Sequence, residues 1–153
     1  REGTLNTPLI VGFATAAQIA RSEGESWRHR ATRARDAFER AIAEQTSAHL
    51  TPLFTQCHRL PNTSSVWAAG VAGDALVVGL EGLAISYGSA CSSGTPTPSP
   101  ALMAFGLDSE RASQTVRVSF GRENTEEDAV CAAAILAEAA AKIRLSGSNP
   151  GEI

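Results

Sequence analysis

The residue best suited to chemistry is Cys91, set in Gly88-Ser89-Ala90-Cys91-Ser92-Ser93-Gly94 and followed by Thr95-Pro96-Thr97-Pro98-Ser99-Pro100. None of these side chains is large enough to build a core, so the thiol reads as offered to something outside the segment. A thiol acts as a nucleophile when it is accessible and can reach an electrophile, and small flexible neighbours supply that reach. Gly88 to Thr97, drawn out at ~3.3 Å per residue, would span about 30 Å. The competing reading is an incidental surface cysteine.

Three other positions bear on the same question. Arg117 stands on the polar side of an alternating segment; it is either a surface residue or a clamp whose two parallel donors match a carboxylate. Thr4, in Arg1-Glu2-Gly3-Thr4 ahead of a helix, suits a phosphate, the alternative being a frayed terminus. Cys57-His58 has no second pair of ligands and makes a poor zinc site, so no metal is expected. Cys131 lies among alanines and reads as a small buried hydrophobe. Lys142 is the only lysine in the chain, near the end of the last helix, where it complements the dipole. Chemistry that needs a buried Schiff-base lysine therefore cannot be completed by this polypeptide alone.

The elements that must hold these residues follow from pattern. Thr7-Pro8 and the apolar residues Leu9 to Ile19 predict a helix with Thr7 as N-cap, ending near Glu23-Gly24. A second, strongly charged helix is expected from Glu25 to about His49. Short strands are expected around Leu53-Phe54, over Ser64 to Ala69 and over Leu83 to Tyr87. A helix from Ala72 to Gly82 should turn Leu76, Val77 and Leu80 inward. Ser99-Pro100 opens a short helix to Phe105, stopped by Gly106. Val116, Val118 and Phe120 alternate with Arg117 and Ser119, the period of a strand with one apolar face. Asn124 to Asp128 begins an alanine-rich helix to about Arg144, its acidic first turn suiting the positive dipole end. The mixture indicates an α/β or α+β fold, with the tail, 146–153, loose.

Bulk properties narrow the partners. Thirteen basic and sixteen acidic residues give a net charge of -3, so nucleic acid and anionic membranes are disfavoured. The longest apolar stretch, Val71 to Ser86, is broken by Asp74 and Glu81 and does not suit a membrane span. Three cysteines without paired spacing fit a reducing cytoplasm rather than a disulfide framework. With no starting Met and no leader ahead of Arg1, the chain reads as a piece of a longer protein.

Taken together, Arg1-x-Gly3-Thr4, Arg59-x-Pro61-Asn62, Ile85-Ser86-x-Gly88-Ser89-Ala90-Cys91-x-Ser93-Gly94 and Val116-Arg117-x-Ser119-x-Gly121-Arg122, followed by Thr125-Glu126-Glu127, resemble the C-terminal part of cysteine desulfurases. The similarity is to the NifS-like and IscS-like branch of the class V aminotransferase group, and its order and spacing run through nearly the whole chain. The resemblance implies the C-terminal small domain of a fold-type I pyridoxal-phosphate transferase: 1–24 a helix of the large domain, 25–145 the small domain with its long connecting helix, 146–153 the tail. It also implies that sulfur from L-cysteine is taken onto a loop cysteine as a persulfide, releasing L-alanine, and is then passed to a sulfur-acceptor or scaffold protein for iron-sulfur cluster or thio-cofactor synthesis. In that comparison Cys91 matches the nucleophile, Arg117 the residue holding the substrate carboxylate, and Thr4 the contact to the cofactor phosphate across a homodimer. Glu2 stands where relatives commonly carry a small residue. The large domain with the Schiff-base lysine is expected to lie outside this chain, leaving it inactive alone. Other expectations compatible with these residues are a selenocysteine lyase or aminotransferase of the same group, or a standalone sulfur-carrier module.

Overall fold

A computed structural model describes residues 3–45, 49–87 and 98–147. The chain opens with α1 (Thr7–Glu44), a single helix of 38 residues. Its cap is Asn6, whose side chain accepts from the Leu9 amide at 3.2 Å, one residue before the expected Thr7. The expected stop at Glu23-Gly24 is not used: Gly24 keeps a negative, helical φ, and the two expected helices are one. A glycine ends a helix only when it takes up the left-handed conformation that caps the last turn.

Two strands follow, β1 (Leu50–Leu53) and β2 (Thr63–Ala68), then a short helix α2 (Gly73–Gly79) and a two-residue strand β3 (Ser86–Tyr87). Of the expected inward side chains in α2, Leu76 is fully buried and Leu80 partly so, whereas Val77 is exposed. Next come α3 (Pro100–Ala104), an unforeseen helical turn α4 (Ser109–Ser113) capped by Asp108, β4 (Thr115–Ser119) and α5 (Glu126–Gly147). As expected, Gly106 stops α3, with a positive φ of 93°. Thr125 and Asp128 exchange side-chain and backbone hydrogen bonds at the start of α5, satisfying two amides that the helix itself leaves free.

The four strands form one antiparallel sheet in the order β1-β2-β4-β3. On one face Val66, Ala68, Val116 and Val118 meet α1 and α5, which contribute Phe38, Ile42 and Leu136. Alanines at 31, 34 and 37 of α1 and at 129, 133, 137 and 140 of α5 are buried, small enough to let helix backbones approach closely. Phe38 meets Phe120 edge to face at 5.6 Å. The other face of the sheet carries Leu53, Ser65, Arg117 and Ser86, which the register sets in one row across all four strands.

Burial along α1 is uneven. The described residues through Ser22 are exposed, and side chains begin to be covered at Glu23, which pairs with Arg122. Leu9, Ile10, Val11 and Phe13 are all more than half exposed, Phe13 at 78%.

Candidate active site

The open face of the sheet carries a cleft of about 350 Å³. Its apolar wall is built by Leu53 and Phe54 at the end of β1, Leu60 in the following loop, and Leu102 and Phe105 from α3. Phe54 and Phe105 lie with ring centroids 5.4 Å apart. Phe54 adopts a φ of 57°, a left-handed conformation that costs a bulky residue about 1–3 kcal/mol and persists only where packing imposes it. Here that conformation accompanies the meeting of the Phe54 ring with α3.

The polar lining of the cleft includes Arg117, Cys57, His58 and Arg59. The two arginines differ in what they are bound to. Arg59 is committed: both terminal nitrogens donate to the Glu39 carboxylate on α1, at 2.5 and 2.8 Å. Glu39 also accepts from the hydroxyl of Ser64, a fully buried side chain of β2, at 2.7 Å. The hydrogen bond to Glu39 is the chief reason the Arg59 guanidinium is held protonated above its ordinary range, with burial pulling the other way. Arg117 is exposed on β4 and has no hydrogen-bond or ion-pair partner among the described residues. Among those residues, none lining the cleft is acidic. Such a guanidinium offers two parallel hydrogen-bond donors of the kind that match a carboxylate.

The sequence-predicted residues are distributed as follows. Arg117 sits on the polar side of its strand, with Val116 and Val118 buried behind it as the alternation requires. Cys91 falls in 88–97, outside the described residues. The described residues on either side of that segment do touch the cleft region: Ser86 and Tyr87 pair with Arg117 and Val116, and Ser99 lines the cleft itself. Thr4 is exposed ahead of α1 and is not part of the cleft. Cys57 and His58 are exposed at its rim, and among the described residues no cluster of three or more metal-ligating side chains occurs. Cys131 departs from expectation: it is exposed on α5, because the buried stripe of that helix runs through Ala129, Ala133 and Ala137 and leaves position 131 outside it.

Two components of the site were not foreseen from sequence. One is the Arg59–Glu39–Ser64 network, signalled only by the Arg59-x-Pro61-Asn62 motif. The other is the apolar wall, whose members come from three separate stretches of chain.

Comparisons with known proteins agree with this architecture. The family model for aminotransferase class V matches residues 1–130. A cysteine desulfurase IscS from Anaeromyxobacter dehalogenans (strain 2CP-C) is 37% identical over 144 residues, and one from Anaeromyxobacter sp. (strain Fw109-5) is 35% identical over the same length. In both cases the alignment covers 94% of this chain and 35% of the relative, so the chain spans about a third of the length of these proteins. Among solved structures, a NifS-like protein superposes with a TM-score of 0.71 at 26% identity, over 90% of this chain and 34% of that one. A NifS-like protein from Rickettsia africae ESF-5 shares the fold, with a TM-score of 0.70 at 21% identity over 94% of this chain and 36% of its own. By sequence family and by fold alike, the chain belongs to the class V aminotransferases.

Proposed function

We propose that the chain is the C-terminal part of a pyridoxal-phosphate-dependent cysteine desulfurase, in which Arg117 holds the carboxylate of L-cysteine and Cys91 receives its sulfur. The observation that carries this reading is the Arg117 guanidinium, which has no partner and no acidic neighbour in the cleft lining among the described residues, on the strand next to the one that leads into the Cys91 segment. Similarity to cysteine desulfurases over 94% of the chain supports L-cysteine as the substrate.

The carboxylate of an amino acid would accept two parallel hydrogen bonds from Arg117, which fixes its orientation. Arg59 is a weaker competitor for it, because the Glu39 carboxylate already neutralises its charge through two hydrogen bonds. Cys91 is the sulfur acceptor in this reading; its persulfide is handed to a sulfur-acceptor or scaffold protein. Thr4 is assigned to the cofactor phosphate of a partner subunit in a homodimer.

Members of this family generally use pyridoxal phosphate, and the residues of this chain do not fit it on their own. The cofactor's carbonyl needs an amine, and Lys142, the only lysine, is exposed on α5, on the side of the sheet away from Arg117. We therefore assign the cofactor's covalent anchor to a domain beyond these residues. The apolar, exposed stretch of α1 up to Ser22 is assigned to packing against that domain.

Two assays test the proposal. The chain incubated with L-cysteine and pyridoxal phosphate is expected to release no alanine; appreciable turnover would show that the lysine-bearing domain is not needed. In the protein extended to include a lysine-bearing domain, L-cysteine is expected to leave a persulfide on Cys91 that is lost in Cys91→Ser. Alanine formation without any persulfide would point instead to a lyase of the same group, and conversion of L-cysteine to its 2-oxo acid without alanine would point to an aminotransferase.

A further inference from the structure

The apolar half of the cleft has no task in the reading above. L-cysteine carries one methylene and a thiol beyond its amino-acid backbone, too little to occupy a surface made of two phenylalanines and three leucines. The cleft volume of about 350 Å³ lies at the low end of the range of small-molecule sites. Its lining combines two chemistries: an apolar wall that includes the Phe54–Phe105 pair, and Arg117, which has no partner among the described residues. No acidic side chain among the described residues lines it, and its second arginine is neutralised by Glu39 outside the lining.

We infer that this cleft binds monocarboxylates with an apolar body, aromatic or branched aliphatic, with the carboxylate on Arg117 and the body against Phe54, Leu102 and Phe105. The inference shares with the proposed function only the role of Arg117 as a carboxylate holder. Charge complementarity selects for the anion, because a neutral ligand leaves Arg117 without its partner and gains the wall alone. Burial of the body selects against small anions, which gain the guanidinium alone. Such acids would compete with L-cysteine for Arg117, giving the site an inhibitor class unrelated to sulfur chemistry. The left-handed Phe54 accords with this, since its strained conformation is kept at a position where the ring forms cleft wall and not core.

Cys57 provides a built-in reporter. It is exposed and lines the cleft, whereas Cys131 is exposed on α5, away from it. The experiment follows iodoacetamide alkylation of the chain by peptide mapping, which separates the three cysteines, with increasing 3-phenylpropionate, 3-phenylpropanamide or acetate. Phenylpropionate is expected to slow alkylation of Cys57 and leave the rate at Cys131 unchanged. Its half-protecting concentration should be at least about tenfold below that of the amide or of acetate, the loss expected when one charge-assisted pair or one buried apolar body is removed. Arg117→Gln should abolish the advantage over the amide, with the far-ultraviolet circular dichroism checking that the fold is kept. Equal protection by the amide would overturn the role of Arg117, equal protection by acetate would overturn the role of the wall, and no protection of Cys57 would overturn the site. Protection of Cys57 in a protein whose longer form makes no persulfide would leave this inference standing and remove the desulfurase reading; persulfide formation without protection would do the reverse.

Discussion

At the scale of single residues, environment separates side chains that the sequence shows as alike. Arg59 and Arg117 line one cleft, yet one is neutralised by Glu39 and the other has no partner among the described residues. Alternation within 115–120 makes the outward direction of Arg117 legible in the sequence. The pairing of Arg59 is not, because Glu39 lies on α1, twenty residues earlier. Cys131 shows the converse limit. Alanine-rich surroundings suggested burial, but a stripe three or four residues apart is what faces the core, and position 131 falls between its members. Tyr87 offers a prediction at this scale. Burial, with help from Asp74, raises its pKa above the ordinary value of 10.0. Between pH 10 and the higher native pKa, the unfolded chain has lost a proton that the native state still holds. Stability should therefore be unaffected below about pH 10 and fall as pH rises from there through the native pKa. Tyr87 is the only tyrosine, so phenolate absorbance reads it without ambiguity. The native midpoint is expected above that of the denatured chain, and Tyr87→Phe should flatten the alkaline loss of stability. A native midpoint at or below the denatured one would refute the assignment.

At the scale of elements, boundaries follow capping chemistry more closely than composition. Asn6 displaces Thr7 as the cap, and Asp108 and Thr125 each start a helix through a side-chain oxygen that accepts from a backbone amide. The break expected at Glu23-Gly24 fails because Gly24 keeps helical backbone, while the Glu23–Arg122 pair ties that turn to the segment between β4 and α5. A side chain at Gly24 would meet nothing within 4 Å. Gly24→Ala should consequently stabilise the protein by about 0.5–1 kcal/mol, since alanine gives up less backbone freedom in a helix. Denaturant unfolding at constant m-value measures this; destabilisation would mean that the helix is jointed there after all. Gly73 differs, with an added Cβ falling 2.4 Å from the Tyr87 ring. The cleft was the least legible feature, since Leu53, Phe54, Leu60, Leu102 and Phe105 belong to three stretches that only the antiparallel register and α3 bring together.

At the scale of the whole molecule, the motif order anticipated the mixed fold and the family, while the surface shows what pattern alone left open. Leu9, Ile10, Val11 and Phe13 are exposed together on the first turns of α1, a concentration of apolar surface that a solitary soluble domain rarely carries. Studied by itself, the chain should bind a hydrophobic dye and self-associate with rising concentration. Replacing Leu9 and Phe13 by glutamate should reduce both effects without changing the unfolding free energy by more than about 0.5 kcal/mol, because neither side chain belongs to the core. A strictly monomeric, dye-silent chain would count against assigning this surface to packing with a further domain.

The continuity of α1 also has a mechanical consequence. At 1.5 Å per residue, 38 residues make a rod about 57 Å long. One end is clamped to the sheet through Phe38, Ile42 and the Glu39–Arg59 pair, and the other stands clear of it. With no joint at Gly24 the rod behaves as a lever. A tilt of about 5° at the sheet would carry the free end through about 2.5 Å from a fulcrum near its middle, taking half the length given by the helical rise. Anything seated on the outer turns would therefore bear, through Phe38, Ile42 and the Glu39–Arg59 pair, on the covered face of the sheet.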